Sequence, residues 1–372
     1  MKRTACIKLA ASEAQTAALT ALQAEFAAAC RHLSALAAAN KCHNRVGLHH
    51  LGYYAVRTLH PSLGAQMACN AVAAVSAAYA SLFSNKPALK KGEWPTLTFR
   101  DQGSVHFDKR TYTLKGAAVS LFTLAGRTIV PMRPGGHQAA LLAAGSPKEA
   151  ELVRRNHRFY LHLVFDVKDV EAIACDTVLG IDVGENTTAA TSTGKLFDGG
   201  KLRHDRDGYL ALRRRLQGNG SQSAKQLLKK VSGRERRHVA HVNHVVSKQI
   251  VNEALGCGAG VIALEDLTGI RERIKAGTRV RARLHRWAWR QLQAFIEYKA
   301  QAAGLRVVYV DPAYTSQTCS LCLQPGTREK HRFSCSCGRL AHSDVNSSQN
   351  LARLGATAVA SRGAVNRPNV EA

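Results

Sequence analysis

The spacing of apolar positions changes character twice along the chain. Residues 3–10 alternate and read as a strand; from Ser12 to about Ser84 the pattern turns Ala-rich and helical, broken by a polar turn at Asn40–Asn44 and by His60-Pro61. From Trp94 to Val167 short β-type runs take over, at Thr96–Phe99, Ser104–Phe107, Val119–Leu124, Thr128–Val130 and Phe159–Phe165, with Gly and Pro between them. They predict a small barrel. If residues 3–10 pair with these later runs, the helices of 11–92 are an insertion into a β-domain. Beyond Cys175 strands and helices alternate: Val178–Val183, Thr187–Thr193, a basic helical stretch to Leu255, Gly260–Leu264, a helix over Leu284–Ala303, and Leu305–Val310. A cysteine-bearing excursion then precedes a last helical piece at Asn346–Leu354.

The expected layout is therefore a multidomain chain, α+β followed by α/β. A β-barrel domain comprises 1–10 and 93–175, with a helical bundle of 11–92 inserted in it. An α/β domain comprises 176–310 and 341–354, with an insert at 311–340, and a loose Ala- and Gly-rich tail spans 355–372.

Charge narrows the partners. Lys and Arg number 52 against 26 Asp and Glu, a net +26, while 45% of residues are apolar and only 21% charged. The cations therefore sit on folded surfaces rather than in a disordered tail, and polyanions, nucleic acid first, are the expected partners. Residues 201–290 hold 21 Lys or Arg against seven Asp or Glu, among them Arg213–Arg215, Lys229, Lys230, Arg234, Arg236, Arg237 and the run Arg271, Arg273, Lys275, Arg279, Arg281, Arg283 and Arg286. A charge run is usually a solvated face; here it flanks two candidate metal-binding carboxylates, which favours phosphate binding.

No membrane is expected. Lys8 interrupts the apolar run after Met1-Lys2-Arg3, which argues against a signal peptide and for a mature N-terminus, and the uncharged stretch Ala65–Lys86 is too Ala-rich for a span and reads as a buried helix. Four of ten cysteines fall between Cys319 and Cys337 and the rest are scattered, which suggests one metal site in a reducing compartment, cytoplasmic or nuclear.

Three acids leave apolar strands or open a helix. Asp182 ends Val178–Ile181 and is followed by Gly184; Glu265 ends Gly260–Leu264; Asp344 lies just before the last helix. Each alone could be a turn residue or a helix cap. As a set they supply hard oxygen ligands from separate segments of one domain, as two divalent ions ~3.5–4 Å apart require. Cys319-x-x-Cys322, a 12-residue gap and Cys335-x-Cys337 suit a tetrahedral structural zinc. The second pair is one residue shorter than CxxC, so either the knuckle is tighter or His331 or His342 replaces a thiolate. His238, His241 and His244 recur every third residue, which drifts around a helix and suits a nucleic-acid-facing or solvated surface better than a metal; Cys42, His43, His49 and His50 suit a surface loop.

The strings GIDVGENTTAA, VIALEDLTGIRER, YTSQTCSLC and HSDVNSSQNLA stand in the order and approximate spacing of the split nuclease motifs and zinc insert of TnpB, the RNA-guided nuclease of insertion sequences. Compact type V CRISPR effectors and Fanzor proteins look similar. The resemblance covers about 176–352 strongly and the barrel and helical regions more weakly. It implies an RNase H-like (RuvC) nuclease domain with a zinc-binding insert, preceded by a wedge-like β-barrel carrying a helical recognition domain. It further implies Asp182, Glu265 and Asp344 as catalytic ligands of Mg²⁺, Zn²⁺ on the cysteines, guide RNA and target DNA as partners, and cleavage to 5′-phosphate and 3′-hydroxyl ends. The segment Leu284–Ala303, with Trp287, Trp289, Tyr298 and Lys299, resembles the helix before the last core strand, its aromatics read as core. The expected function is RNA-guided DNA cleavage. A nuclease-inactive RNA-guided DNA-binding repressor is an alternative that the three intact acids oppose; an actin-like ATPase, whose phosphate site also opens with Asp-x-Gly, is opposed by the charge and the cysteines.

Overall fold

Strand β1 (Lys2–Leu9) buries Ala5, Ile7 and Leu9 on one face, the period-two pattern of a strand lying on a core. The structure, a computed structural model, describes residues 2–268 and 288–360, which divide into two compact units, up to Lys168 and from Asp169.

In the first unit Ser12 caps helix α1 (Glu13–Ala39) in a reciprocal box with Gln15, and Asn44 caps α2 (Arg45–Leu59). Helix α3 (Gly64–Asn85) follows. Its apolar residues Met67, Val72, Val75 and Tyr79 are buried against Leu19, Leu22, Phe26 and Leu33 of α1, so the segment most suggestive of a membrane span by composition is a core helix. The remaining elements are β2 (Val105–Asp108), β3 (Tyr112–Lys115), β4 (Ala118–Thr123), β5 (Gly126–Arg133), α4 (Gly136–Ala144), β6 (Glu149–Arg155) and β7 (Arg158–Asp166).

These strands form one seven-stranded sheet in the order β2-β6-β7-β1-β5-β4-β3. Strand β1 pairs antiparallel with both β5 and β7, so α1–α3 leave the sheet after its first strand and the chain then returns to complete it. Residues 96–99, expected as a strand, are not one: the Leu97 N–H donates to Ser34 Oγ on α1 at 2.7 Å and needs no sheet partner. Strand β6 was not expected, because its sequence EAELVRR hides a short alternation among charges.

The second unit begins with β8 (Val178–Asp182), β9 (Thr187–Thr191) and β10 (Leu196–Asp198), then α5 (Gly200–Asn219) and α6 (Gln222–Gly256). The basic helical stretch is thus two helices, parted where Gly220 takes φ 65° and Ser221 caps α6. Next come β11 (Val261–Glu265), α7 (Trp289–Ala302), β12 (Arg306–Val310), the short strands β13 (Thr327–Glu329), β14 (Arg332–Ser334) and β15 (Leu340–His342), and α8 (Ser343–Ala360). The helix expected from Leu284 starts, within the described residues, at Trp289; Trp287 and the arginines from 271 to 286 lie outside them.

The main sheet has the order β10-β9-β8-β11-β12, with β8, β11 and β12 pairing parallel and β9 antiparallel to both its neighbours, β8 and β10. Its central strands are covered on both faces, hence their near-continuous apolar runs. Leu179, Ile181, Ile262 and Leu264 pack on Ile250 of α6 and on Leu292 and Ile296 of α7; Val261, Ala263 and Val308 pack on the other side with Val359 of α8. Helix α8 approaches so closely that a Cβ at Gly180 would lie 2.0 Å from the Ser348 carbonyl oxygen, and one at Gly355 2.6 Å from Ala263 Cβ. The loose tail expected from 355 is therefore corrected: residues 355–360 are the packed end of α8, and 361–372 lie outside the described residues. The boundary between units also falls before 175. The Ile173 N–H donates to Gly304 O at 2.8 Å and Arg306 Nη2 to Cys175 O at 3.0 Å, which fastens this segment to the second unit.

Candidate active site

Strands β8 and β11 run parallel with Ile181 beside Leu264, so the next residues, Asp182 and Glu265, leave the same edge of the sheet side by side. Asp344 reaches them from the first turn of α8, held across β8 by the contact at Gly180. The three sequence-predicted acids are thus brought together. Glu265 is 8% and Asp344 7% exposed, and Asp182 is partly buried. Burial, and then the neighbouring carboxylates, push the Asp182 and Glu265 carboxyls well above the ordinary carboxylate range. Such a cluster holds a shared proton or a cation; hard oxygen donors crowded in this way suit a divalent ion.

Each acid has its own support. The buried Gln293 of α7 donates to the Glu265 carbonyl at 2.8 Å. The adjacent Asp266 turns away, its N–H donating to Val310 O at 2.8 Å and its Oδ1 accepting from the Thr268 N–H at 2.9 Å. Asp344 Oδ1 accepts from Arg328 Nη2 at 3.0 Å and from Ser343 Oγ at 3.2 Å. Arg328, on β13, was missed by sequence reasoning. No spacing marks it, and arginine is common throughout this chain.

The residues after Asp344 clamp the cysteine loop. Asn346 Nδ2 donates to Thr318 O at 2.7 Å while its Oδ1 accepts from the Ser320 N–H at 2.9 Å; Asn350 Nδ2 donates to Thr315 O and Thr318 O. The polar string that follows the third acid is thus scaffold tying the insert to α8. In the insert the Sγ atoms of Cys319, Cys322, Cys335 and Cys337 lie within 4.8 Å of one another, with Cys319–Cys337 at 3.7 Å and Cys322–Cys335 at 3.5 Å. Thiolates around a tetrahedral zinc stand about 3.8 Å apart, so the four sulfurs fit that ion. The short second pair closes because Gly338, at φ 89°, reverses the chain and returns its N–H to Cys335 O at 3.0 Å. Neither His331 nor His342 is needed.

The other histidines part company. His238 Nε2 pairs with Asp205 Oδ2 at 3.1 Å, linking α6 to α5, and the His244 ring stacks on Phe295 of α7 with centroids 3.9 Å apart. In the first unit His43 packs edge-on against Phe83 and Trp94, and His49 stacks on Tyr53. Trp289 is core, whereas Tyr298 is 41% exposed.

Residues 289–351 match the Cas12f1-like TNB domain family. Over 126 residues, 33% of this chain and 45% of the relative, it is 40% identical to a TnpB-like protein of Methanocaldococcus jannaschii. A third of the chain is thus similar to a TnpB-like protein. A CRISPR-associated endodeoxyribonuclease Cas12f1 of Sulfoacidibacillus thermotolerans is 42% identical over 30% of this chain and 26% of its own length, so the alignments span less than half of either relative. A putative RNA-guided DNA endonuclease of Streptomyces pristinaespiralis is 25% identical over 76% of this chain and 69% of its own length. Among solved structures, a Cas12f1–sgRNA–target DNA complex aligns over 95% of this chain and 99% of that one at 16% identity and TM-score 0.40.

Proposed function

We propose that this chain is an RNA-guided DNA endonuclease of the TnpB type that cleaves DNA by two-metal-ion phosphodiester hydrolysis. The observation that carries the reading is the convergence of Asp182, Glu265 and Asp344 at one edge of a mixed sheet, with Arg328 on Asp344. That sheet supports an RNase H-like (RuvC) domain, the cysteine insert a zinc-binding one, and the first unit a wedge-like domain with an inserted helical recognition domain.

In this reading Asp182, Glu265 and Asp344 hold Mg²⁺, and the cysteines hold a structural Zn²⁺. Bound Mg²⁺ would supply an activated water and charge stabilisation at the leaving 3′ oxygen. The three carboxylates would hold the ions beside the scissile phosphate, and Gln293 holds the Glu265 backbone against movement. Arg328, paired with Asp344 at 3.0 Å, would offset negative charge that builds on a phosphate beside the acids without reorganising. Guide RNA supplies the sequence reading, while the basic helices α5 and α6 contact phosphates regardless of sequence. The protein acts in the cytoplasm at the nucleoid, or in the nucleus of a eukaryote. The test is cleavage of a guide-matched plasmid by protein purified with its RNA, with and without Mg²⁺; an RNA-loaded protein that binds the target and never cleaves it overturns the reading in favour of the repressor.

A further inference from the structure

We propose that His331, His342 and Asp344 form a site for a borderline divalent cation of the Zn²⁺ and Ni²⁺ class, separate from the cysteine centre, whose occupancy withdraws Asp344 from Asp182 and Glu265. The binding claim stands on geometry alone; its effect on cleavage rests on the nuclease reading above.

One ligand atom from each of the three residues lies within 4.8 Å of the other two. Around a tetrahedral ion with bonds of about 2.0–2.1 Å such atoms stand about 3.3 Å apart, so closure asks for a side-chain rotation and no backbone movement. The backbone is already tied. Arg332 of β14 pairs with His342 of β15, and the Ser343 N–H donates to His331 O at 2.8 Å. The two imidazoles stack with centroids 5.3 Å apart and planes 23° from parallel. His331, on the turn between β13 and β14, is exposed; His342 is half-buried. His342 Nδ1 accepts a long 3.3 Å hydrogen bond from the Asp344 N–H, so its lone pair already faces the start of α8 and exchanges a weak partner for an ion. Arg328 and Ser343 both bond to Oδ1 of Asp344, which leaves Oδ2 for the metal.

Two imidazoles and one carboxylate choose the ion. Mg²⁺ prefers oxygen donors and resists losing its water, whereas Zn²⁺ and Ni²⁺ bind imidazole strongly. Three protein ligands leave a fourth position for water. The site therefore discriminates against the ion the three carboxylates suit, while sharing one ligand with them. A carboxylate oxygen turned toward the histidines is lost to the other centre, so binding at one site opposes binding at the other.

The experiment titrates zinc-loaded, full-length protein with Ni²⁺ by calorimetry in excess Mg²⁺, beside His331→Ala and His342→Ala, with thermal unfolding to show that each variant folds. Wild type should bind one Ni²⁺ per chain, and each variant should bind it at least about ten-fold more weakly. Unchanged affinity in both variants overturns the site. In the second arm Mg²⁺-dependent cleavage is followed against added Ni²⁺. His331→Ala should cleave like wild type without Ni²⁺ and need at least about ten-fold more Ni²⁺ for half-inhibition. Ni²⁺ that binds at the histidines and leaves cleavage unchanged overturns the withdrawal of Asp344. Absence of cleavage in every condition counts against the nuclease reading, and the calorimetry still decides the metal site.

Discussion

Arg328 Nη2 lies 3.0 Å from Asp344 Oδ1, joining a strand of the cysteine insert to the third acid of the candidate centre. The guanidinium also opposes the upward push that burial gives the Asp182 and Glu265 carboxyls. Arg328→Ala should lower single-turnover DNA cleavage by about 10²-fold, the scale of removing one preorganised donor, with RNA and DNA affinity little changed. Arg328→Lys should recover part of the loss. Wild-type cleavage in the alanine variant would show that the contact is only structural.

Asp182→Ala, Glu265→Ala and Asp344→Ala should each abolish Mg²⁺-dependent cleavage while guide and target binding, spread over many Lys and Arg, survive. A double variant should be little worse than a single one, because the acids act as a unit. Asp266→Ala and Asp198→Ala remove nearby negative charge from residues turned to local backbone, Thr268 N–H and Gly200 N–H respectively, and should keep cleavage. Gel assays of cleavage and filter binding separate the two effects.

Metal analysis of the native protein should find about one zinc per chain. Cys319→Ser and Cys337→Ser should both lower it, because all four sulfurs converge. Zinc retained in full by Cys337→Ser would put a fifth ligand in the knuckle.

The raised carboxyls give a pH signature. In the folded, metal-free protein Asp182 is pushed up to about 7 and Glu265 to about 9, while both return to about 4 on unfolding. The folded state therefore holds more protons, and the stability these groups contribute is full below about pH 4 and is lost as pH rises toward 9. Mg²⁺ relieves the charge that appears. The rise in melting temperature on adding Mg²⁺ should be larger at pH 8 than at pH 6 by calorimetry, and Glu265→Gln should shrink that difference.

Gly180→Ala should destabilise the second unit by about 1–3 kcal/mol, since its Cβ would meet the Ser348 carbonyl at 2.0 Å and backbone must move. Chemical denaturation of the full chain measures this. A neutral substitution would mean that α8 shifts freely over β8.

The sequence was most legible where local physics and burial agree. Ser12, Asn44 and His60-Pro61 mark helix limits through caps and a lost donor, and the chain obeys them. Strands β8 and β11 announce themselves as apolar runs ending in acids because both faces of the sheet are covered. Other features were not legible, and three of them show why. β6 alternates among charged residues, so its buried Ala150 and Leu152 make too short a signal. The closure of Cys335-x-Cys337 depends on a positive φ at Gly338, a property of the turn rather than of the spacing. Arg328 owes its role to a hairpin that brings it back to Asp344, and such long-range placement leaves no periodicity to read.

The close approach of α8 to Gly180 has a consequence in time. Asp182 and Glu265 are synthesised early, on neighbouring strands that can pair as soon as β11 emerges from the ribosome, but the helix bearing Asp344 follows only after the whole cysteine insert. A nascent chain stalled between β12 and α8 carries two of the three acids and the basic helices α5 and α6. On the proposed function such a chain would grip polyanions before it gained the last ligand for cutting, and premature termination would yield a holder rather than a cutter.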